Sequence, residues 1–121
     1  MESLIPEPPM RALCRMEEIP DGQGKGFPAA PGGFTGLVVV RRGDQVWGYT
    51  NSCPHIGTPL DWTPDRFMSS DGQYLICATH GAAFSVETGK CLRGPCVGDS
   101  LESVVTEVRE GVIYVPHDAG L

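Results

Sequence analysis

The stretch Leu37-Val38-Val39-Val40-Arg41-Arg42-Gly43-Asp44-Gln45-Val46-Trp47-Gly48-Tyr49 reads as two strands folded back on each other. β-Branched and aromatic residues favour extended backbone, and Arg42-Gly43-Asp44 is a hairpin signal between Leu37–Arg41 and Gln45–Tyr49. Upstream, Ala12 to Met16 alternates in the manner of a strand. Pro20 to Gly36, with six glycines and three prolines, reads as turns around a short edge strand near Phe27. Downstream, Asp61 to Gly72 is rich in turn formers and reads as a surface excursion, after which Tyr74-Leu75-Ile76 is a strand. Ala82–Val86, Glu102–Arg109 and Val112–Val115 supply further strands, the last two joined at Glu110-Gly111. Nothing reads as a long helix. Short strands at close spacing with turn signals between them predict an all-β antiparallel sandwich or small barrel.

With 121 residues the chain is one domain by size, able to bury about two-thirds of its unfolded surface. Residues 1–10, MESLIPEPPM, lack the basic start and apolar centre of an export signal and read as a flexible tail. The domain is expected over 11–116, with a second tail at 117–121. Nine Lys and Arg against fifteen Asp and Glu give a net charge of −6, which argues against nucleic acid and favours a basic protein partner. The longest apolar run, Leu37 to Val40, is strand length, so the expectation is a soluble cytoplasmic protein with no membrane span. Five cysteines is an odd count and a poor match to a secreted disulfide framework. Gly22-x-Gly24-x-Gly26 has neither the spacing nor the helix of a dinucleotide loop.

The chemistry lies in two half-motifs, Cys53-Pro54-His55 and Cys77-Ala78-Thr79-His80, separated by 21 residues. Structural zinc sites usually pair cysteines in one half and histidines in the other. Here each half offers one thiolate and one imidazole. That mixture suits a binuclear centre with two thiolates on one iron and two imidazoles on the other, the ligand set of a Rieske [2Fe–2S] cluster. The motifs resemble that family beyond the ligands, at Gly57 and Leu60, at Gly81 and Phe84, at Thr88-Gly89, and at Gly94-Pro95, where the family carries a proline-containing loop. The resemblance covers roughly Leu13 to Val115.

It implies a Rieske-type antiparallel β-sandwich or barrel with a small cluster-binding subdomain, and one cluster per chain on Cys53, His55, Cys77 and His80. By resemblance each histidine would bind through Nδ1 and leave Nε2 toward the surface. Two neutral imidazoles in place of two thiolates make an added electron less costly and raise the potential. High-potential members carry an extra cysteine in each cluster loop, and a serine and a tyrosine whose hydroxyls bond cluster sulfurs. Thr58, Thr79, Ala82 and Phe84 stand at those positions here, which implies a potential near the low end of the roughly −150 to +300 mV Rieske range. The implied role is a ferredoxin that takes single electrons from a flavoprotein reductase and gives them to a terminal oxygenase.

Other readings are weaker. A Rieske oxygenase needs a further iron on two histidines and a carboxylate, and of three histidines only His117 remains. The small subunit of assimilatory nitrite reductase shares the fold but usually lacks the ligands, which are intact here. A subunit or sensor in a larger redox complex, or a structural zinc module, stays open. Trp62 reads as packing, His117 as a solvated residue, and Cys91 and Cys96 as small, partly buried thiols.

Overall fold

In the computed structural model, Val38 and Val40 pack into one apolar cluster while Leu37 and Val39, alternating with them, pack into another, and all four are fully buried. Successive side chains of a strand point to opposite faces, so an unbroken apolar run marks a strand covered on both sides. The structure describes residues 10–27, 36–52, 67–69, 71–77, 81–94 and 97–116. Their strands are β1 (Met10–Arg15), β2 (Gly24–Phe27), β3 (Leu37–Arg42), β4 (Gln45–Thr50), β5 (Tyr74–Ile76), β6 (Ala83–Ser85), β7 (Cys91–Arg93), β8 (Ser103–Val104), β9 (Glu107–Arg109) and β10 (Val112–Pro116). One 3-10 turn, Met16–Glu18, is the sole helical element among the described residues. None of the described helices is long and apolar enough to cross a membrane.

The strands form three antiparallel sheets, in the orders β1-β10-β9, β2-β3-β4-β8 and β5-β6-β7. The β3–β4 hairpin closes on Gly43-Asp44, with Arg42 opposite Gln45 and Gly43 at φ +58°, a left-handed conformation that glycine adopts without strain. One face of β3 meets Ile19, Ile113 and Val115 from the β1-β10-β9 side. The other meets Phe67, Leu75, Ala82, Phe84 and Leu101. The second cluster thus joins the four-stranded base to the small β5-β6-β7 sheet.

Two expectations change. Glu102–Arg109 is not one strand: β8 pairs with β4, β9 pairs with β10, and the chain changes sheets at Val105-Thr106. The crossing runs hard against Gly48, where a Cβ would lie 2.8 Å from Thr106 Cγ2 and 3.1 Å from the Val104 carbonyl. The second correction concerns the turn-rich excursion, which is interior at Phe67. Phe67 is fully buried, the Ile76 N–H donates to its carbonyl (2.7 Å), and Met68 bridges Leu75. Polar composition around Phe67 conceals a core anchor that also lies against Gly24. Trp62 lies outside the described residues. β7 was not expected; its Cys91 is buried opposite Phe84.

Candidate metal centre

Strand β5 is followed directly by Cys77, which is fully buried and takes part in no disulfide. Its N–H donates to the Ala82 carbonyl (2.9 Å) and its carbonyl accepts the Gly81 N–H (2.8 Å), so the residues flanking 78–80 are tied to one another. Gly81 sits at φ +70°, the left-handed region that lets the chain turn back into β6. Ala82, just before β6, and Phe84, within it, are also fully buried. The thiol therefore stands at the end of a small sheet, in dry surroundings shared with Leu75, Ala82, Phe84 and Cys91.

A second segment is pressed onto this turn. Gly94, at φ +107°, lies so close to Ala82 that a Cβ would come within 2.8 Å of its Cα and 3.0 Å of its Cβ. The Val97 N–H then donates back to the Gly94 carbonyl (3.4 Å). The contact needs a residue without a side chain at 94, a physical use for the glycine of Gly94-Pro95. Pro95 and Cys96 lie outside the described residues.

In the base sheet, β4 precedes the first half-motif in sequence, and the backbone at its end is pinned. Thr50 donates from its N–H to the Glu102 carbonyl (2.8 Å) and from its hydroxyl to Glu102 Oε1 (2.9 Å). Asn51 N–H reaches the Gly36 carbonyl (3.2 Å) and Ser52 N–H the Thr50 carbonyl (2.8 Å). Cys53, His55 and His80 lie outside the described residues, as does His117. Of the four expected ligands, Cys77 is the one whose surroundings can be stated, and among the described residues no three His, Cys, Asp or Glu side chains gather as a metal site.

The described surroundings fit an iron–sulfur centre. A buried thiolate is a soft ligand, and an apolar shell around it limits water. Gly94 lies against Ala82, whose carbonyl holds the Cys77 N–H, without a side chain intruding there.

Tyr49 lies outside both half-motifs. It is buried on β4, and its hydroxyl donates to the Val86 carbonyl in the β6–β7 turn at 2.6 Å. Burial, with Glu87 nearby, pushes its phenol up to about 12. The available signal was an aromatic four residues before Cys53 together with the Thr88-Gly89 pair, since a Cβ on Gly89 would lie 2.7 Å from Tyr49 Cε1.

Comparison with known proteins agrees with this geometry. The Rieske [2Fe-2S] domain matches residues 10–113. Ferredoxin CarAc of Metapseudomonas resinovorans is 36% identical over 84 residues, covering 69% of this chain and 72% of that protein. Among solved structures, the complex of reduced oxygenase and oxidised ferredoxin in carbazole 1,9a-dioxygenase contains a similar chain. It superposes with a TM-score of 0.72 at 28% identity, over 93% of this chain and 96% of that one. The ferredoxin of carbazole 1,9a-dioxygenase from Nocardioides aromaticivorans IC177 shares the fold, with a TM-score of 0.71 at 24% identity over 88% and 95% of the two chains.

Proposed function

The chain belongs to the Rieske [2Fe-2S] family, and from that premise we propose that Cys53 and Cys77 hold one iron of its cluster and His55 and His80 the other. When bound, such a cluster supplies reversible one-electron chemistry at a potential set by its ligands and their surroundings. The protein is a homologue of ferredoxins and acts as an electron carrier. The finer reading is a shuttle between a flavoprotein reductase and a terminal oxygenase, with no catalysis of its own, working in the cytoplasm. Its support is the similarity to a ferredoxin named for a dioxygenase system and to a chain solved in a complex with an oxygenase.

The observation that carries the ligand assignment is Cys77, a fully buried thiol at a strand end whose backbone N–H and carbonyl are both engaged. Those two bonds hold the sulfur-bearing residue in one backbone conformation, so binding a metal there orders little that is still free. Ala82 and Phe84, buried beside it, offer no hydroxyl that could stabilise extra negative charge, which favours a potential near the low end of the Rieske range. A net charge of −6 suits partners that present basic faces around their docking sites.

Electron paramagnetic resonance of the dithionite-reduced protein tests the assignment. A Rieske spectrum is expected for the unaltered chain, and its loss in Cys53→Ser and in His80→Ala. Either variant keeping the full signal removes that residue from the ligand set.

A further inference from the structure

The two half-motifs follow strands of different sheets: Cys53 comes three residues after β4 of the base ends at Thr50, and Cys77 directly follows β5 of the small sheet. A centre that draws on both is only as well placed as the joint between those sheets. We propose that Tyr49 is a positioning residue, a buried latch that fixes the first half-site relative to the second. The inference rests on the ligand reading above.

Tyr49 belongs to β4, four residues before Cys53, and its phenol crosses to the turn that joins β6 to β7. There the hydroxyl donates to the Val86 carbonyl at 2.6 Å, both groups shielded from water. The ring is clamped as well. Gly89, at φ +74°, meets it so closely that a Cβ would fall 2.7 Å from Cε1 and 3.2 Å from Cδ1. Gly89 is itself fixed, since its N–H donates to Ser85 and its carbonyl accepts the Leu101 N–H, each at 2.8 Å. From Val86 the strand β6 leads directly back to Ala82, whose carbonyl holds the Cys77 N–H. A continuous, hydrogen-bonded path thus runs from Tyr49 to Cys77, while the covalent chain runs from Tyr49 to Cys53.

Another side-chain tie between base and small sheet is Arg42 Nη2 to the Gln73 carbonyl (3.0 Å), which is exposed. Water can replace that bond when it breaks. It cannot replace the buried one, so losing the Tyr49 hydroxyl leaves the Val86 carbonyl without its donor in a dry site.

The test compares the unaltered protein with Tyr49→Phe, which keeps the ring and removes the hydroxyl. Iron release to bathophenanthroline and the linewidth of the reduced paramagnetic spectrum are measured on the loaded protein. Amide hydrogen exchange is measured on the full chain. We expect release about tenfold faster, the effect of one lost buried hydrogen bond, with broadened lines. Exchange should rise at Val86–Gly89 and stay unchanged at the β2–β3 amides. Gly89→Ala, which pushes the ring from the other side, should broaden the same lines. Unchanged release and linewidth in Tyr49→Phe would overturn the proposal. So would faster exchange spread equally into β2 and β3, which marks a general loss of stability. If the unaltered protein gives no Rieske spectrum, the ligand reading fails, and the exchange comparison still decides whether the latch joins the sheets.

Discussion

Gly94 and Gly98 offer a matched pair for testing how the segment after β7 sits on the cysteine-bearing turn. Their φ values are nearly equal, +107° and +105°, so alanine at either carries similar backbone strain, about 1–3 kcal/mol. They differ in surroundings. At Gly98 nothing lies within 4 Å of an added Cβ, whereas at Gly94 it would meet Ala82 Cα at 2.8 Å, Cβ at 3.0 Å and N at 3.4 Å. Backbone atoms of a hydrogen-bonded turn cannot swing aside as a flexible side chain can, so the overlap adds about 1–3 kcal/mol at Gly94 alone. For a urea slope of about 1–3 kcal/mol/M, Gly94→Ala should therefore unfold at roughly 1 M less urea than Gly98→Ala. Visible absorbance and far-ultraviolet circular dichroism are followed in the same samples. Midpoints are compared rather than extrapolated free energies, because a bound cofactor breaks two-state behaviour. The reduced paramagnetic spectrum should shift in Gly94→Ala and not in Gly98→Ala. Equal midpoints and equal spectra in the two variants would refute the close approach of Gly94 to Ala82.

Much of the fold is legible because local signals agree with the sheets. Tyr74–Ile76 is both predicted and observed as a strand, and the hairpin on Gly43-Asp44 extends the predicted strands by one residue at Arg42 and one at Thr50. The errors occur where tertiary contact decides. Nothing between Glu102 and Arg109 announces that the chain leaves one sheet for another, and the residue it crosses against, Gly48, is far off in sequence. Phe67 sits among turn formers, and a single large aromatic is enough to draw its part of that segment inside. The proposed ligand motifs rest on residue type and spacing, since few centres use two thiolates and two imidazoles in mixed halves. The joint between the half-sites is not legible there. Tyr49 reads as an ordinary strand aromatic until Val86 and Gly89 are seen against it. Gly94-Pro95 is legible as a motif, but the contact of Gly94 with Ala82 is a property of two segments meeting.

Three further outcomes are expected. Ala82→Ser combined with Phe84→Tyr should raise the midpoint potential by tens of millivolts, on the order of one charge-assisted hydrogen bond, and protein-film voltammetry showing no upward shift would end the tuning argument. Phe67→Ala should destabilise the protein by about 3–5 kcal/mol, as for a fully buried aromatic, and a loss below about 1 kcal/mol in urea would return residues 67–69 to the surface. The last concerns alkaline pH. Burial raises Tyr49 from 10.0 to about 12, and burial together with Glu18 raises Cys14 from 9.0 to about 11, Lys25 opposing. Both groups lose a proton on titration, so between the unfolded and folded values the unfolded chain has released a proton that the folded chain keeps. Rising pH then favours unfolding: the contribution is complete below about pH 9 and is lost progressively up to about pH 12. For Tyr49, which is 2% exposed, the loss amounts to about 1–3 kcal/mol. Melting temperatures measured from pH 8 to pH 12 should therefore fall more steeply above pH 10 in the unaltered protein than in Tyr49→Phe, which has no phenol to ionise. Parallel curves would mean that the hydroxyl ionises at an ordinary value, and that its bond to Val86 is not shielded as the packing of Gly89 against the ring requires.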